Sequence, residues 1–150
     1  MISIVITTYN KLPYLKATLS FLENQSKQDD FEVVLIVDGS TDGTIEFLKN
    51  TKFSYSLKYY VIKQGGLANA RNHGIKKSNG NHILFMDDDL LLSPDYIAKL
   101  SESLDQHPNH VHTGVLKKIN INSVENIFKI IEETGFISNE LLESKVYIDP

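Results

Sequence analysis

Three aspartates stand side by side at positions 87–89, directly after the apolar run that ends at Met86. Adjacent carboxylates repel one another, so the pattern favours a role in binding. In extended backbone, residues i and i+2 point to the same side, which would turn Asp87 and Asp89 toward one ligand and Asp88 away from it. Two hard oxygen ligands suit Mg²⁺ or Mn²⁺, with phosphate oxygens and water completing the shell. The alternative is a solvated acidic loop before the next helix.

A fourth aspartate, Asp38, also follows an apolar run. Its carboxylate could accept a hydrogen bond from an N–H group such as the imide of a uracil ring. The competing interpretation is that Asp38 caps the turn before the next helix, together with Ser40 and Asp42. Asp38 is therefore a candidate base-binding residue with a structural alternative.

Two other segments place polar or small residues after a strand. Thr8 and Tyr9 follow the first apolar run, where the tyrosine ring could stack on a nucleobase and the threonine could bond to it. Alternatively, Tyr9 packs against the first helix. The segment 65–74 has neither the Gly-Lys-Ser/Thr of a Walker A loop nor the Gly-x-Gly-x-x-Gly of a dinucleotide site. Within it, Arg71 could face a diphosphate, or pair with a nearby acid.

Histidines form the other group that could bind a metal ion, at His107, His110 and His112. The chain has no Cys, which excludes a disulfide, a thiolate zinc site and a Cys nucleophile. A dedicated zinc site on these histidines is disfavoured, because zinc would need further ligands. His112 could instead add a ligand to an ion held by Asp87 and Asp89.

The elements that must position these residues alternate along the chain. Runs rich in apolar, β-branched or aromatic residues predict strands at 2–6, 31–37, 57–62, 82–86 and 111–116. Apolar residues spaced by three and four predict helices that begin near 12, 44, 67 and 93, and others at 122–133 and 138–144. The third helix is predicted to turn Leu67, Ala70, Gly74 and Ile75 inward. This alternation predicts an α/β fold with a mostly parallel central sheet and helices on both faces. The polar clusters should then converge at the carboxyl ends of the strands.

Composition narrows the class of protein. The 150 residues are 41% hydrophobic and 23% charged, which suits one soluble globular domain. A formal net charge of −4 disfavours nucleic-acid binding through a basic surface. No run approaches the ~20 apolar residues of a spanning helix, and the N-terminus lacks the basic start of a signal peptide. We therefore expect a cytoplasmic chain without a transmembrane segment, with any membrane association supplied by other segments or partners.

Four segments occur in a characteristic order: 7–11, 37–44, 66–75, and 85–89 with the following Pro94-Asp95. In this order they resemble the motifs of family 2 glycosyltransferases of the GT-A fold, over residues 1–116. The resemblance implies a nucleotide-diphospho-sugar donor, above all a UDP-sugar, and Mg²⁺ or Mn²⁺ as cofactor. It further implies hexosyl transfer with inversion to a hydroxyl of a glycan, lipid or protein, as in polysaccharide biosynthesis.

The same resemblance implies roles for single residues. The implied donor-binding set is Thr8, Tyr9 and Asp38 on the base, Arg71 on the base or diphosphate, Asp87 on the ribose or sugar, and Asp88. The implied metal ligands are Asp89 and Asp87, a DxD motif, with His112 as an additional candidate.

Two departures from the family pattern bear on function. The family usually has two acids before Gly-Ser-Thr-Asp, whereas Asp38 follows Val37. Either Asp38 reads the base after a one-residue shift, or that contact is missing. The family's second half binds the acceptor and carries the catalytic base, often in a Glu-Asp pair, and residues 117–150 show no such motif. The pair Glu132-Glu133 is interpreted as a solvated helix face.

We therefore predict a donor- and metal-binding core at 1–116 and a helical segment of the same domain at 117–150, a truncated acceptor region. No catalytic base is identified. One alternative is a nucleotide-sugar-binding module without turnover. A nucleotidyltransferase is a weaker alternative, because the N-terminus has no Gly-rich triphosphate loop with Arg or Lys.

Overall fold

The computed structural model describes residues 1–114. Strands and helices alternate through this part of the chain, as β1 (Ile2–Thr8), α1 (Leu12–Glu23), β2 (Phe31–Asp38), α2 (Thr44–Asn50), β3 (Ser56–Ile62), α3 (Leu67–Lys77), β4 (His82–Asp87) and α4 (Tyr96–Gln106). A short 3-10 helix, Gln28–Asp30, precedes β2. Each of these strands and α-helices lies where the periodicity predicts it.

The fifth predicted strand, at 111–116, is wrong in the part that can be seen. Residues 111–114 form neither helix nor strand. Its last two residues lie outside the described residues, as do the helices predicted at 122–133 and 138–144. The apolar residues of this segment therefore did not suffice to predict a strand, since a strand also needs a hydrogen-bonding neighbour.

The four strands form one parallel sheet in the order β3-β2-β1-β4. Ile2 is in register with Phe31 on one side and with His82 on the other, so the strands begin together. They also end together, because Thr7 pairs with Asp87 and Thr8 with Val37. We call the edge where strands begin the amino end of the sheet and the edge where they finish the carboxyl end. The prediction of a parallel α/β sheet is confirmed.

The core occupies both faces of this sheet. On one face strand residues pack against α1, α2 and α4, and the fully buried side chains there include Ile4, Ile6, Leu15, Leu19, Leu22, Leu35 and Ile97. On the other face Val5, Val34 and Ile36 pack against Ala70 of α3. Because β1 and β2 are covered on both faces, they are apolar along almost their whole length.

Helix α3 approaches the sheet through small residues. A side chain at Gly74 would place its Cβ 2.2 Å from Cγ1 of Val5, so only glycine fits there. This contact and the buried Ala70, one turn away, draw the helix onto β1 and β2. The prediction that Leu67 and Ile75 face inward is wrong, since they are 53% and 43% exposed. Because α3 contacts the sheet only through a narrow strip of small residues, Leu67 and Ile75 lie beside this interface and not in it.

Residues 1–114 contain the four α-helices α1 to α4. None of them combines the length and the hydropathy that a membrane-spanning helix needs.

Candidate functional site

Two loops at the carboxyl end of the sheet are tied to each other. The Asn10 backbone N–H donates to the Ser40 hydroxyl (3.1 Å), and the Thr41 N–H donates to Asn10 Oδ1 (2.8 Å). Asp42 accepts from the N–H of Leu12 (2.8 Å) and so caps α1 from the neighbouring loop. Asn10 adopts a left-handed φ of +52°, a conformation that Asn tolerates better than most residues. The loops after β1 and β2 therefore form one wall of the site.

Asp38 lies at the base of the next loop. Its buried carboxylate accepts hydrogen bonds from the backbone N–H groups of Gly65 (2.8 Å) and Gly66 (2.9 Å), which lead into α3. Asp38 thus has a structural role, but not the one that the alternative predicted: it binds the turn before α3, whereas Asp42 accepts from Thr44 at the start of α2. Each carboxylate oxygen still has a second acceptor position.

Arg71 and Asp87 meet on the α3 side of the sheet. Their side chains form an ion pair, with Arg71 Nη2 3.1 Å from Asp87 Oδ1. The guanidinium also lies over the ring of Phe85, 5.6 Å from its centroid. Both charged side chains reach solvent, at 38% and 57% exposure, so a ligand can compete for either. The structure thus brings together two residues that sequence reasoning had assigned to one ligand.

Lys11 contacts the other two aspartates of the acidic cluster. Its Nζ lies 2.8 Å from Asp89 Oδ2 and 3.8 Å from Asp88 Oδ1. The hydrogen bond to Asp89 raises the pKa of Lys11 against the opposing effect of burial. The Tyr14 ring lies 5.9 Å from the same ammonium. Sequence reasoning did not assign Lys11 to the site, although it ends the motif at 7–11.

Asp88 and Thr8 lie beneath the surface of the site. The Asp88 side chain is 8% exposed, and its backbone carbonyl accepts from the Thr18 hydroxyl (2.9 Å). Burial raises the pKa of Asp88, while the charge of Lys11 opposes that shift. Thr8 Oγ1 is itself buried, and no group in residues 1–114 bonds to it in good geometry. Asp88 therefore faces away from solvent. The predicted alternation is nevertheless not observed, because Asp88 and Asp89 lie in a turn and share Lys11, whereas Asp87 pairs with Arg71.

Asp87 and Asp89 could each offer oxygen ligands to a divalent cation. In this structure separate cations neutralise them, Arg71 for Asp87 and Lys11 for Asp89. Within residues 1–114, no three acidic, His or Cys side chains converge into a complete metal cage. The carboxylate donors nevertheless fit Mg²⁺ or Mn²⁺, which usually binds one or two carboxylates and takes its other ligands from phosphates and water.

His112 does not join the acidic cluster. Its Nδ1 bonds to the Ser103 hydroxyl (2.9 Å) and its Nε2 to the His107 carbonyl (3.0 Å), so both ring nitrogens are occupied. It lines a cavity of about 320 Å³ with Ile2 and His82, at the amino end of the sheet. The prediction that His112 adds a ligand beside Asp87 and Asp89 is corrected by this placement, because the length of β4 separates them.

Tyr9 completes the predicted set at the carboxyl end. It is 46% exposed, so its ring is available to stack on a planar ligand. The site thus combines an aromatic ring, two solvent-reaching ion pairs and glycine-rich backbone at the ends of parallel strands. This is where ligands of open α/β sheets bind.

Solved structures share this fold. TarS from Staphylococcus aureus, in complex with UDP-GlcNAc, superposes with a TM-score of 0.67 and 24% identity, over 80% of this chain and 38% of that one. A mannosyltransferase from Pyrobaculum calidifontis, in complex with GDP-Man and Mn²⁺, gives a TM-score of 0.63 at 22% identity, over 87% of this chain and 39% of that one. The fold is that of the GT-A glycosyltransferases, as predicted.

Sequence relatives carry related names. An uncharacterized glycosyltransferase, YfnE from Bacillus subtilis, is 31% identical over 77% of this chain and 30% of its own length. The poly(ribitol-phosphate) β-N-acetylglucosaminyltransferase TarS from S. aureus is 28% identical over 85% of this chain and 23% of its own length. The chain therefore spans less than a third of the length of each of these relatives.

The family model for Glycosyl transferase family 2 matches residues 3–146. The chain belongs to this family, as its four motifs predicted.

Proposed function

We propose that this chain binds the donor for a glycosyltransferase that moves a sugar from a nucleotide-diphospho-sugar to an acceptor hydroxyl. The observation that carries the proposal is a set of two ion pairs, Arg71–Asp87 and Lys11–Asp89, at the carboxyl end of a family 2 sheet. These side chains offer cations to a diphosphate and carboxylates to a metal ion within one site. We take a UDP-sugar as the first candidate donor, because TarS structures contain UDP and UDP-GlcNAc.

In this proposal the exposed residues contact the donor and the buried ones position them. The Tyr9 ring stacks on the base, while the Arg71 guanidinium exchanges Asp87 for the diphosphate and leaves Asp87 to bind the ribose or sugar. Asp38 holds the backbone of the loop at 65–66 and uses a remaining acceptor position for a base N–H. Thr8 and Asp88 position these exposed residues and do not contact the donor themselves, since both are nearly inaccessible to solvent.

A divalent cation fits the same arrangement, with Asp89 and Asp87 as its protein ligands. When bound, Mg²⁺ or Mn²⁺ supplies positive charge that stabilises the departing diphosphate. The family likeness to a mannosyltransferase crystallised with Mn²⁺ supports this choice of ion.

Transfer proceeds with inversion in this proposal, so a base removes the acceptor proton on the face opposite the leaving group. No residue of the chain is assigned to that role. We propose a polysaccharide or polyol-phosphate chain as acceptor, because two relatives are named for poly(ribitol-phosphate).

Calorimetric titration of UDP-GlcNAc, UDP-glucose and GDP-mannose, each with and without Mn²⁺, tests the proposal. We expect one donor to bind and Arg71→Met to weaken its binding at least tenfold, the loss of about 1.4 kcal/mol that one charge-assisted contact contributes. Lys77→Met is the matched control, since Lys77 also lies over an aromatic ring, that of Tyr60, but on the last turn of α3. Failure of every donor to bind would refute the proposal.

A radiolabelled-sugar transfer assay to wall polysaccharide then separates two functions. Transfer supports an enzyme, whereas donor binding without transfer favours the alternative of a nucleotide-sugar-binding module.

A further inference from the structure

We infer that Lys11 is an internal counter-cation of the acidic cluster, which competes with a divalent cation for Asp89 and must be displaced before the cation can use Asp89 Oδ2. Lys11 would thereby set how tightly the site holds the metal in the absence of donor. This inference rests on the proposed function, because it assumes that Asp89 is a metal ligand. It concerns a residue that the four motifs did not assign to any ligand.

The geometry of Lys11 is that of an occupied cation position. Its Nζ lies 2.8 Å from Asp89 Oδ2, within charge-assisted hydrogen-bond distance, and 3.8 Å from Asp88 Oδ1. The Tyr14 ring faces the same ammonium from 5.9 Å. One carboxylate oxygen that a metal would use therefore already has a cationic partner.

The charges around Lys11 show why the exchange matters. The three aspartates carry three negative charges, and Lys11 and Arg71 return two positive ones through ion pairs. A divalent cation at Asp89 would lie beside the Lys11 ammonium and be repelled by it. Neutralising Lys11 leaves the cluster one charge more negative and should strengthen cation binding.

The Lys11 side chain is also free to leave. It is 43% exposed, whereas the Asp89 side chain is 17% exposed, so the lysine can swing into solvent while the carboxylate stays in place. The four-carbon stem of lysine is flexible and its ammonium is a compact charge that binds any nearby anion. Once displaced, Lys11 is available to the phosphates of the donor, which would couple donor binding to metal binding.

Titration with Mn²⁺ alone, with free Mn²⁺ measured by electron paramagnetic resonance, tests this inference on the full 150-residue chain. We expect Lys11→Met to bind Mn²⁺ about fivefold more tightly than wild type, the effect of removing one partly exposed ion pair. Lys11→Arg keeps the charge and should bind as wild type does. Lys16→Met is the matched control, since Lys16 lies in the second turn of α1, the helix that Lys11 precedes, and its ammonium lies over the Phe47 ring.

The outcomes separate the inference from the proposed function. Mn²⁺ affinity that is equal or weaker in folded Lys11→Met than in wild type overturns the inference, as does tighter binding by Lys16→Met to the same extent. Asp89→Asn checks the underlying site: if Mn²⁺ binding survives that change, Asp89 is not a ligand and both the metal assignment and the inference fall. Loss of binding in Asp89→Asn with no effect of Lys11→Met overturns the inference alone.

Discussion

Two buried carboxylates lie at opposite ends of the sheet, and the protein treats their charges in opposite ways. At the amino end, burial acts to raise the pKa of Glu32, but hydrogen bonds from Asn79 and Ser3 and the charge of Lys58 outweigh it and hold the pKa below its ordinary 4.5. At the carboxyl end, burial prevails over the charge of Lys11 and lifts the pKa of Asp88 above its ordinary 3.8.

The difference follows from the number of donors each carboxylate receives. Glu32 Oε1 accepts from the Ser3 hydroxyl (2.8 Å) and from the Asn79 backbone N–H (2.6 Å), and the Asn79 side chain donates to both oxygens. Ser3 in turn accepts from the N–H of Gly80, so the turn before β4 is fixed to β1 and β2. Within residues 1–114, the Asp88 carboxylate has no comparable set of hydrogen-bond donors. Charges held at some cost to the fold are typical of functional sites.

The largest effect that this comparison predicts is at the amino end. Glu32→Ala should lower the free energy of unfolding by about 3 kcal/mol, because the buried Ser3 hydroxyl and the Asn79 backbone N–H lose a charged acceptor. Urea denaturation measures it. Glu46→Ala is the matched control, since Glu46 is exposed and its side chain bonds, among residues 1–114, only to Asn50 one turn away. Equal costs for the two variants would remove the structural role of Glu32.

Asp38 tests whether one carboxylate can both stabilise the fold, as Glu32 does, and support ligand binding. Asp38→Ala should cost about 2 kcal/mol of stability, because the N–H groups of Gly65 and Gly66 lose their acceptor. Donor affinity should fall as well, since these residues lead into the helix that carries Arg71. Asp38→Asn retains one acceptor oxygen and should be milder in both measurements. If Asp38→Ala loses stability as expected but binds the donor as tightly as wild type does, then the role of Asp38 is purely structural.

The loss of stability at low pH gives a further test of the role of Glu32. Because the pKa of Glu32 is lowered in the folded state, its contribution is complete above 4.5 and disappears as the pH falls through the lowered value. At neutral pH, Glu32→Gln should be less stable than wild type, although the loss should be smaller than that of Glu32→Ala. The difference in stability between Glu32→Gln and wild type should then disappear in acid. Thermal unfolding from pH 7 down to about pH 3 measures this. A gap that stays constant with pH would show that the charge of Glu32 adds nothing.

The smallest predicted effect has the opposite sign. Asp88→Asn should raise the free energy of unfolding at pH 7 by about 0.5 kcal/mol, because it removes a carboxylate whose burial is poorly compensated. The same change should weaken Mn²⁺ binding, since it removes a negative charge next to Asp89. Denaturation and the Mn²⁺ titration are done on the same samples. A loss of stability as large as that of Glu32→Gln would abolish the contrast between the two ends.

Local patterns predicted the elements of this fold because apolar periodicity reports directly on burial. The strands ending at Asp38 and Asp87, and the convergence of their acidic ends, follow from that periodicity and from the parallel-sheet rule. Contacts that join distant positions did not follow. Lys11 and Asp89 are 78 residues apart, and nothing local to either one indicates the other.

The errors have a similar physical origin. Gly74 and Ala70 were recognised as inward-facing, but their small size brings the helix so close that Leu67 and Ile75 fall outside the contact. His112 was placed near the acids because it opens a strand-like run, yet it lies beside Ser103 at the other end of the sheet. Both errors came from treating a local pattern as if it fixed a distance in space.

The hydrogen bonds between the loops after β1 and β2 have a thermodynamic consequence for ligand recognition. Asn10, Ser40 and Thr41 fix that wall in the free protein, so little backbone freedom remains to be lost when a ligand arrives. Entropy that would otherwise oppose association has already been removed during folding. Loosening the wall, as in Asn10→Gly, would therefore appear mainly as faster dissociation of the bound ligand.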